Sequence, residues 1–239
     1  MVPSQTELLF DLGLNDEVIG ITKFCIHPAE WFITKTKIGG TKTLNIELIQ
    51  QLQPDLIIAN KEENEQSQIE QLANQFSVWI SDIKNIDDAL NMISAIGTIT
   101  DRSVVAENIA QRITENFQQL PQQFISRKKA AYLIWRKPYM AINSGTFIHD
   151  MLLRCGFENI FANNVSRYPE ITIEQLEAAQ PDVILLSSEP YPFSEKHIDE
   201  LKAKAKLKST KVQLVDGEMF SWYGSRLVHS PEYFRKKIC

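Results

Sequence analysis

Apolar positions along this chain follow two periods. Between residues 101 and 120, Val105, Ile109, Ile113, Phe117 and Leu120 recur at helical spacing, and neither Gly nor Pro interrupts them. The pattern predicts one amphipathic helix of about 30 Å with Asp101 as its N-cap. Elsewhere, short continuous apolar runs alternate with amphipathic stretches. The runs at 17–22, 56–60, 76–81, 128–135, near Ile160, at 183–188 and at 211–216 predict strands. Helices are expected at 4–13, capped by Ser4 and stopped by Gly13, and at 85–97, 144–156, 195–206 and the C-terminus. Apolar runs without alternation mark parallel strands covered on both faces, and so an α/β fold.

The sequences on the two sides of the long helix are alike. IELIQQLQPDLIIAN begins at Ile46 and IEQLEAAQPDVILLS begins at Ile173, a constant offset of 127 residues. Ile46/Ile173, Glu47/Glu174, Gln53/Gln180, Pro54/Pro181, Asp55/Asp182 and Ile57/Ile184 are identical pairs. Each copy reads as a short helix, capped by Asn45 or Thr172, then a Pro-Asp break and a buried strand. Pro cannot continue the helix and biases its predecessor toward extended backbone. The expected architecture is two similar Rossmann-like lobes with parallel sheets joined by one long α-helix. Lobe one is residues 1–100, the linker helix 101–126, and lobe two 127–239. In lobe two the helix near 144–156 follows a clear strand at 128–135. In lobe one the matching helix follows only Met1, Val2 and Pro3. A first strand upstream of Met1, with or without a signal segment, is therefore expected to be missing from this chain.

Composition narrows the function classes. With 239 residues, 44% of them hydrophobic, the chain can bury a substantial core. A net charge of −5 argues against a nucleic-acid partner. Cys25, Cys155 and Cys239 form no CxxC pair and leave an odd thiol, so no disulfide framework is expected. No apolar run reaches membrane-spanning length, and the N-terminus has no signal-peptide pattern.

In open parallel sheets, ligands bind beyond the carboxyl ends of the strands. There the sequence places Phe24, Cys25, His27, Trp31, Thr41, Asn60 and Lys61 in lobe one. Lobe two offers Trp135, Arg136, Tyr139, Tyr168, Tyr191, Phe193, Trp222, Tyr223 and Arg226. Such a concentration of aromatics suits a large, flat, partly polar ligand, though any one ring can equally pack a loop onto its own lobe. Arg136, Arg167 and Arg226 are candidates for ligand carboxylates or phosphates. His27 could be an axial ligand to a bound metal centre or a hydrogen-bonded loop residue. No HxH, HExxH or Cys pair completes a metal site, and no GxGxxG, Walker or GxSxG motif follows a strand. No catalytic residue, protein-held metal or cofactor is expected. Asp55 and Asp182 stand at strand starts and read as turn or cap residues.

With these residues in hand, the chain resembles the class III periplasmic binding proteins, the helical-backbone receptors that hand cobalamin, haem or ferric siderophores to ABC importers. VPSQTELLFDLGL, LNIELIQQLQPDLIIA, ENIFANN, the second QPDVIL block and SWYGSRL follow that family's order. The resemblance implies a monomeric binder, not an enzyme, gripping a corrinoid or iron chelate in an interlobe cleft; the ligand brings any cobalt or iron itself. It places His27 where cobalamin-type members carry Tyr before Pro, and matches Trp135 and residues 220–223 to cleft segments of lobe two. It implies a docking carboxylate to the importer permease on each lobe: Glu62, Glu63 or Glu65 in lobe one. In lobe two the expected position falls near Ser221, with Glu189 or Glu218 as substitutes; a solvated acidic face is the plainer reading of all five. Small lobe motions about a largely preformed cleft are expected, and a periplasmic or periplasm-side, membrane-anchored location. The alternatives are a cytoplasmic corrinoid-handling or sensory protein of the same fold, and a nitrogenase-like or chelatase-like enzyme, against which the lack of cluster cysteines or a His/Glu pair argues.

Overall fold

The two repeat helices end alike. Gln53 and Gln180 each adopt the left-handed conformation, φ 48° and 45°, one residue before the Pro-Asp break. That conformation is uncommon outside Gly, so its recurrence at the 127-residue offset extends the duplication from sequence to backbone. The computed structural model describes residues 1–121, 125–205 and 209–238; Cys239, the odd thiol of the sequence count, lies outside them. Two compact units are present: Met1–Ile83, Asp87–Thr114 and Trp222–Val228 form the first, and the rest of the described residues form the second.

The first unit runs α1 (Pro3–Asp11), β1 (Gly20–Ile21), α2 (Ala29–Thr34), β2 (Thr36–Lys37), α3 (Ile46–Leu52), β3 (Leu56–Asn60), α4 (Gln66–Ala73), β4 (Ser77–Ser81), α5 (Ile86–Ile99) and α6 (Ser103–Gln118). The division between units falls inside α6, after Thr114. Its strands form two separate parallel ribbons, β1–β2 and β3–β4. The second unit runs β5 (Lys128–Leu133), β6 (Tyr139–Met140), α7 (Phe147–Arg154), β7 (Phe157–Asn159), β8 (Glu170–Ile171), α8 (Ile173–Ala179), β9 (Val183–Ser187), α9 (Glu195–Lys204), β10 (Lys211–Val215), α10 (Glu218–Ser221) and α11 (Ser230–Lys237). Here β10-β9-β5-β7 make one continuous parallel sheet. Its central strands are sealed on both faces: Ala130, Ala131, Tyr132, Leu133, Ile184 and Leu185 are fully buried.

Local signals fixed several ends. The Asn45 side chain accepts from the Leu48 N–H at 3.0 Å, and Thr172 with Gln175 forms a reciprocal capping box. Two expected caps fail. Ser4 lies inside α1, because Pro3 takes the first helical position and Val2 precedes it without a side-chain cap. Asp101 closes α5 instead of opening α6. It stands at φ 56°, Arg102 N–H donates to the Gly97 carbonyl at 2.7 Å and Asp101 N–H to that of Thr98 at 3.3 Å. This is a Schellman closure, and it explains why α6 starts only at Ser103. Of the five stripe residues, Ile109, Ile113, Phe117 and, just beyond the end of α6, Leu120 are buried; Val105 faces solvent and Ala106 takes the inward position instead.

Candidate functional site

The segment after β1 turns several side chains outward. Phe24 is 51% exposed and Ile26 46%, with the Lys23 ammonium 5.2 Å from the Phe24 ring centroid. His27 meets the Trp222 ring edge-on at 5.6 Å. Trp222, Tyr223 and Arg226 belong to this first unit, not to the second lobe where the sequence order placed them. The physical reason is a long-range pair. The Arg226 guanidinium donates to both carboxylate oxygens of Glu7 on α1, at 2.8 and 2.6 Å, and lies 4.6 Å over the Trp222 ring. Trp222 and Tyr223 are buried, and burial first of all pushes the Tyr223 hydroxyl well above the ordinary phenol range. Arg226 is thus engaged by Glu7 and Trp222, and these three residues clasp the C-terminal segment to α1.

Three more expected contact residues of the first unit are structural. Trp31 has no solvent exposure: α2 begins right after Pro28 and rotates the indole inward. There its N–H reaches Asn15 Oδ1 at 3.3 Å, and Phe10 packs edge-on at 5.3 Å. Asn60 is buried at the end of β3. Its amide donates to Ser81, and its carbonyl accepts the N–H groups of Glu62 and Glu63 at 2.9 and 3.0 Å. Asn60 therefore shapes the following turn, as an Asx side chain does. Thr41 is buried, and its backbone carbonyl accepts from the Asn64 amide at 3.1 Å. Lys61 is exposed and pairs with Asp82.

In the second unit three of the expected aromatics, Trp135, Tyr191 and Phe193, come together. Trp135, 40% exposed, packs edge-on against Tyr191 at 5.6 Å. Tyr191 in turn meets Phe193 at 4.8 Å and His197 at 5.4 Å, and its hydroxyl lies 3.1 Å from His197 Nε2. Phe193 and His197 are buried beneath, so the partly exposed rings stand on a fixed base. The sequence reading missed His197, which caps α9 by accepting the Ser194 N–H at 2.9 Å. It also missed Glu200, the carboxylate partner of Arg136. Burial, followed by the nearby Arg136 and Lys196 charges, lowers the His197 pKa. Tyr139 is half-buried against the same core. Burial raises its pKa, opposed by its hydrogen bond to Arg136. Tyr168 and Arg167 are half-buried on the loop after β7.

The five expected docking carboxylates differ in setting. Glu65 is exposed just before α4. Glu62 and Glu63 are half-buried in the turn shaped by Asn60, and burial raises the Glu63 pKa against the opposing charge of Lys42. Glu189 accepts from the Ser221 hydroxyl, and Glu218 opens α10. Among the described residues no group of three or more His, Cys, Asp or Glu side chains could hold a metal ion, and no helix is long and apolar enough to cross a membrane. A cavity of about 490 Å³ in the first unit lies at Pro54, Asp55 and Gly20. It sits toward the strand starts, away from the ligand-side loops.

The chain is similar to several characterised proteins. A curated vitamin B12-binding protein of Vibrio cholerae is 28% identical over 190 residues, 78% of this chain and 68% of that protein. One from Pectobacterium atrosepticum is 28% identical over 196 residues, 78% and 69% of the respective chains. Among solved structures, the periplasmic vitamin B12-binding protein of Vibrio cholerae superposes with a TM-score of 0.83 at 23% identity, covering 99% of this chain and 95% of that one. A periplasmic haem-binding protein from Roseiflexus gives 0.82 at 20%, covering 98% and 95%. These two structures share the α/β fold with parallel sheets. Residues 2–212 match the family described as periplasmic binding protein, and the chain belongs to that family.

Proposed function

We propose that this protein captures a corrinoid or an iron chelate and delivers it to the permease of an ABC importer, acting on the periplasmic side and performing no chemistry on its cargo. The observation that carries this reading is the ring cluster of the second unit. Trp135 and Tyr191 offer broad, partly exposed aromatic faces, held edge-on by buried Phe193 and His197. Preordered rings bind a flat macrocycle with little loss of side-chain freedom. Phe24 and Ile26 supply a second exposed apolar pair on the first unit, with half-buried His27 beside them. The curated relatives named for vitamin B12, and the haem-binding structural neighbour, support this ligand class. Trp135, Tyr139, Tyr168, Tyr191, Phe24 and His27 are the proposed contact residues. Exposed Glu65 and half-buried Glu62 and Glu189 are the proposed permease contacts. His27 is the residue proposed to approach a cobalt or iron centre within the cargo.

The test is a titration of the purified protein with cyanocobalamin, cobinamide, haemin and a ferric hydroxamate. Tryptophan fluorescence and the visible spectrum would be followed together. Saturable binding of at least one, weakened about tenfold in Trp135→Ala, is the expected result for a central aromatic contact. If none of the four binds below millimolar concentration, the proposal is wrong.

A further inference from the structure

The ring cluster of the second unit rests on a histidine whose proton the backbone places. The Ser194 N–H donates to His197 Nδ1 at 2.9 Å, and the Ser194 hydroxyl lies 3.1 Å from the same nitrogen. A ring nitrogen that accepts from a backbone amide carries no proton, so the imidazole is neutral and its one proton is on Nε2. That nitrogen is 3.1 Å from the Tyr191 hydroxyl. His197 is therefore the donor of this pair, and the Tyr191 oxygen accepts.

A phenol oxygen can accept two hydrogen bonds and has one proton to give. Arg136, which can only donate, also bonds the Tyr191 oxygen. Both acceptor positions are then engaged, and among the described residues nothing accepts the phenolic proton. The ring is held in place. Trp135 and Phe193 pack on it edge-on at 5.6 and 4.8 Å, and the Tyr191 N–H donates to the Ile134 carbonyl at 3.3 Å. Tyr191 is half-buried, so its hydroxyl is within reach of a ligand laid against the exposed Trp135 ring. We infer that the Tyr191 hydroxyl is a fixed donor to an uncharged acceptor oxygen of the cargo, of the carboxamide type, with His197 as its positioning residue. This rests on the reading of the ring cluster as the binding surface.

Glu200 sets the charge of the acceptor. It pairs with Arg136, so the guanidinium beside Tyr191 carries no spare positive charge. A carboxylate brought to the hydroxyl would stand near the Glu200 carboxylate as well as near Arg136, and nothing would offset the loss of its hydration. Lys196 and Lys204 on α9 are exposed, and solvent ions screen them. A carboxamide oxygen needs no counter-charge and takes the phenolic proton at little cost.

The test titrates the full chain at pH 7.5 with dicyanocobinamide, whose ring edge carries carboxamides, and with dicyanocobyrinic acid, the same ring edged with carboxylates. Tryptophan quenching and the visible spectrum are followed in the wild type, Tyr191→Phe and Glu200→Gln. The wild type should bind the carboxamide form about tenfold or more tightly than the acid. Tyr191→Phe keeps the ring and should lose about three- to tenfold for dicyanocobinamide, the worth of one neutral hydrogen bond. Glu200→Gln leaves the Arg136 charge uncancelled and should bring the two affinities within about threefold of each other; a purely structural role for Glu200 would not move that ratio. Independently of any cargo, long-range nitrogen–proton NMR of the free protein should find the His197 proton on Nε2. A wild type that does not prefer the carboxamide form, an unchanged dicyanocobinamide affinity in Tyr191→Phe, or a His197 proton on Nδ1 overturns the inference. Should a variant melt far below the wild type, the wild-type preference and the position of the His197 proton decide. If haemin or a ferric hydroxamate binds while neither corrinoid does, the inference falls and the proposed function stands; if none of them binds, both fall.

Discussion

Trp31→Ala separates the two roles an aromatic residue can play beside a binding loop. The side chain has no solvent exposure, and its N–H contacts Asn15 at 3.3 Å. Phe10 packs on its edge, and the Lys35 ammonium lies 5.4 Å from the ring centroid. Truncating a buried Trp in a packed core costs about 3–5 kcal/mol, the sum of lost transfer energy and residual cavity. For a chain of this size each kcal/mol moves the melting temperature by about 2–4 °C, so the substitution should lower it by roughly 6–20 °C. Trp135→Ala removes a ring that is 40% exposed, and should cost no more than about 1–2 kcal/mol. Melting would be followed by near-ultraviolet circular dichroism, and affinity by equilibrium titration at a temperature where both variants remain folded. Trp31→Ala should lose stability and keep ligand affinity within about threefold; Trp135→Ala should do the reverse. A Trp31→Ala protein that melts with the wild type but binds ligand ten times more weakly would refute the inward placement of the indole.

Other outcomes follow from the same geometry. Arg226→Met leaves the Glu7 carboxylate without its bidentate partner and removes the cation from the Trp222 face; a loss of about 2–4 kcal/mol in urea unfolding is expected, with ligand affinity unchanged in titration. Gly97 sits where an added Cβ would come 2.3 Å from the Ala106 Cβ, so Gly97→Ala should force α5 and α6 apart and cost about 1–3 kcal/mol, measured by the same unfolding. Burial, and then the Arg136 and Lys196 charges, lower the His197 pKa from its ordinary value. The unfolded chain therefore binds more protons there, and the stability contributed by His197 is complete above about pH 6.5 and lost as pH falls below it. His197→Gln should flatten the decline in melting temperature between pH 7 and pH 5; an unchanged slope would contradict it. Thr172→Ala breaks a reciprocal capping box and should cost about 1 kcal/mol, visible as faster amide exchange in α8.

How far the sequence reached depended on the range of the interaction. The repeat, the caps at Asn45 and Thr172, and the strands from Leu56, Lys128, Val183 and Lys211 were readable because each rests on neighbours within one or two turns. Asp101 was misread because Schellman closure and N-capping both favour a short polar residue between helices; only the carbonyl of Gly97 decided between them. Trp135 and Tyr191 could be placed at strand ends from sequence, and they meet edge-on because those strands belong to one sheet. His197 and Glu200 were overlooked because they lie on a helix whose charge pattern looks like a solvated face. What tertiary structure alone decided is which rings are buried. Trp31 turns inward because one short helix starts right after Pro28. Residues 222–228 return to the first unit because Arg226 meets Glu7 across 219 positions of sequence. Periodicity and capping are local properties of a chain, and a linear sequence displays them; the partner of a buried charge is chosen by the packing of distant segments, which no local pattern encodes.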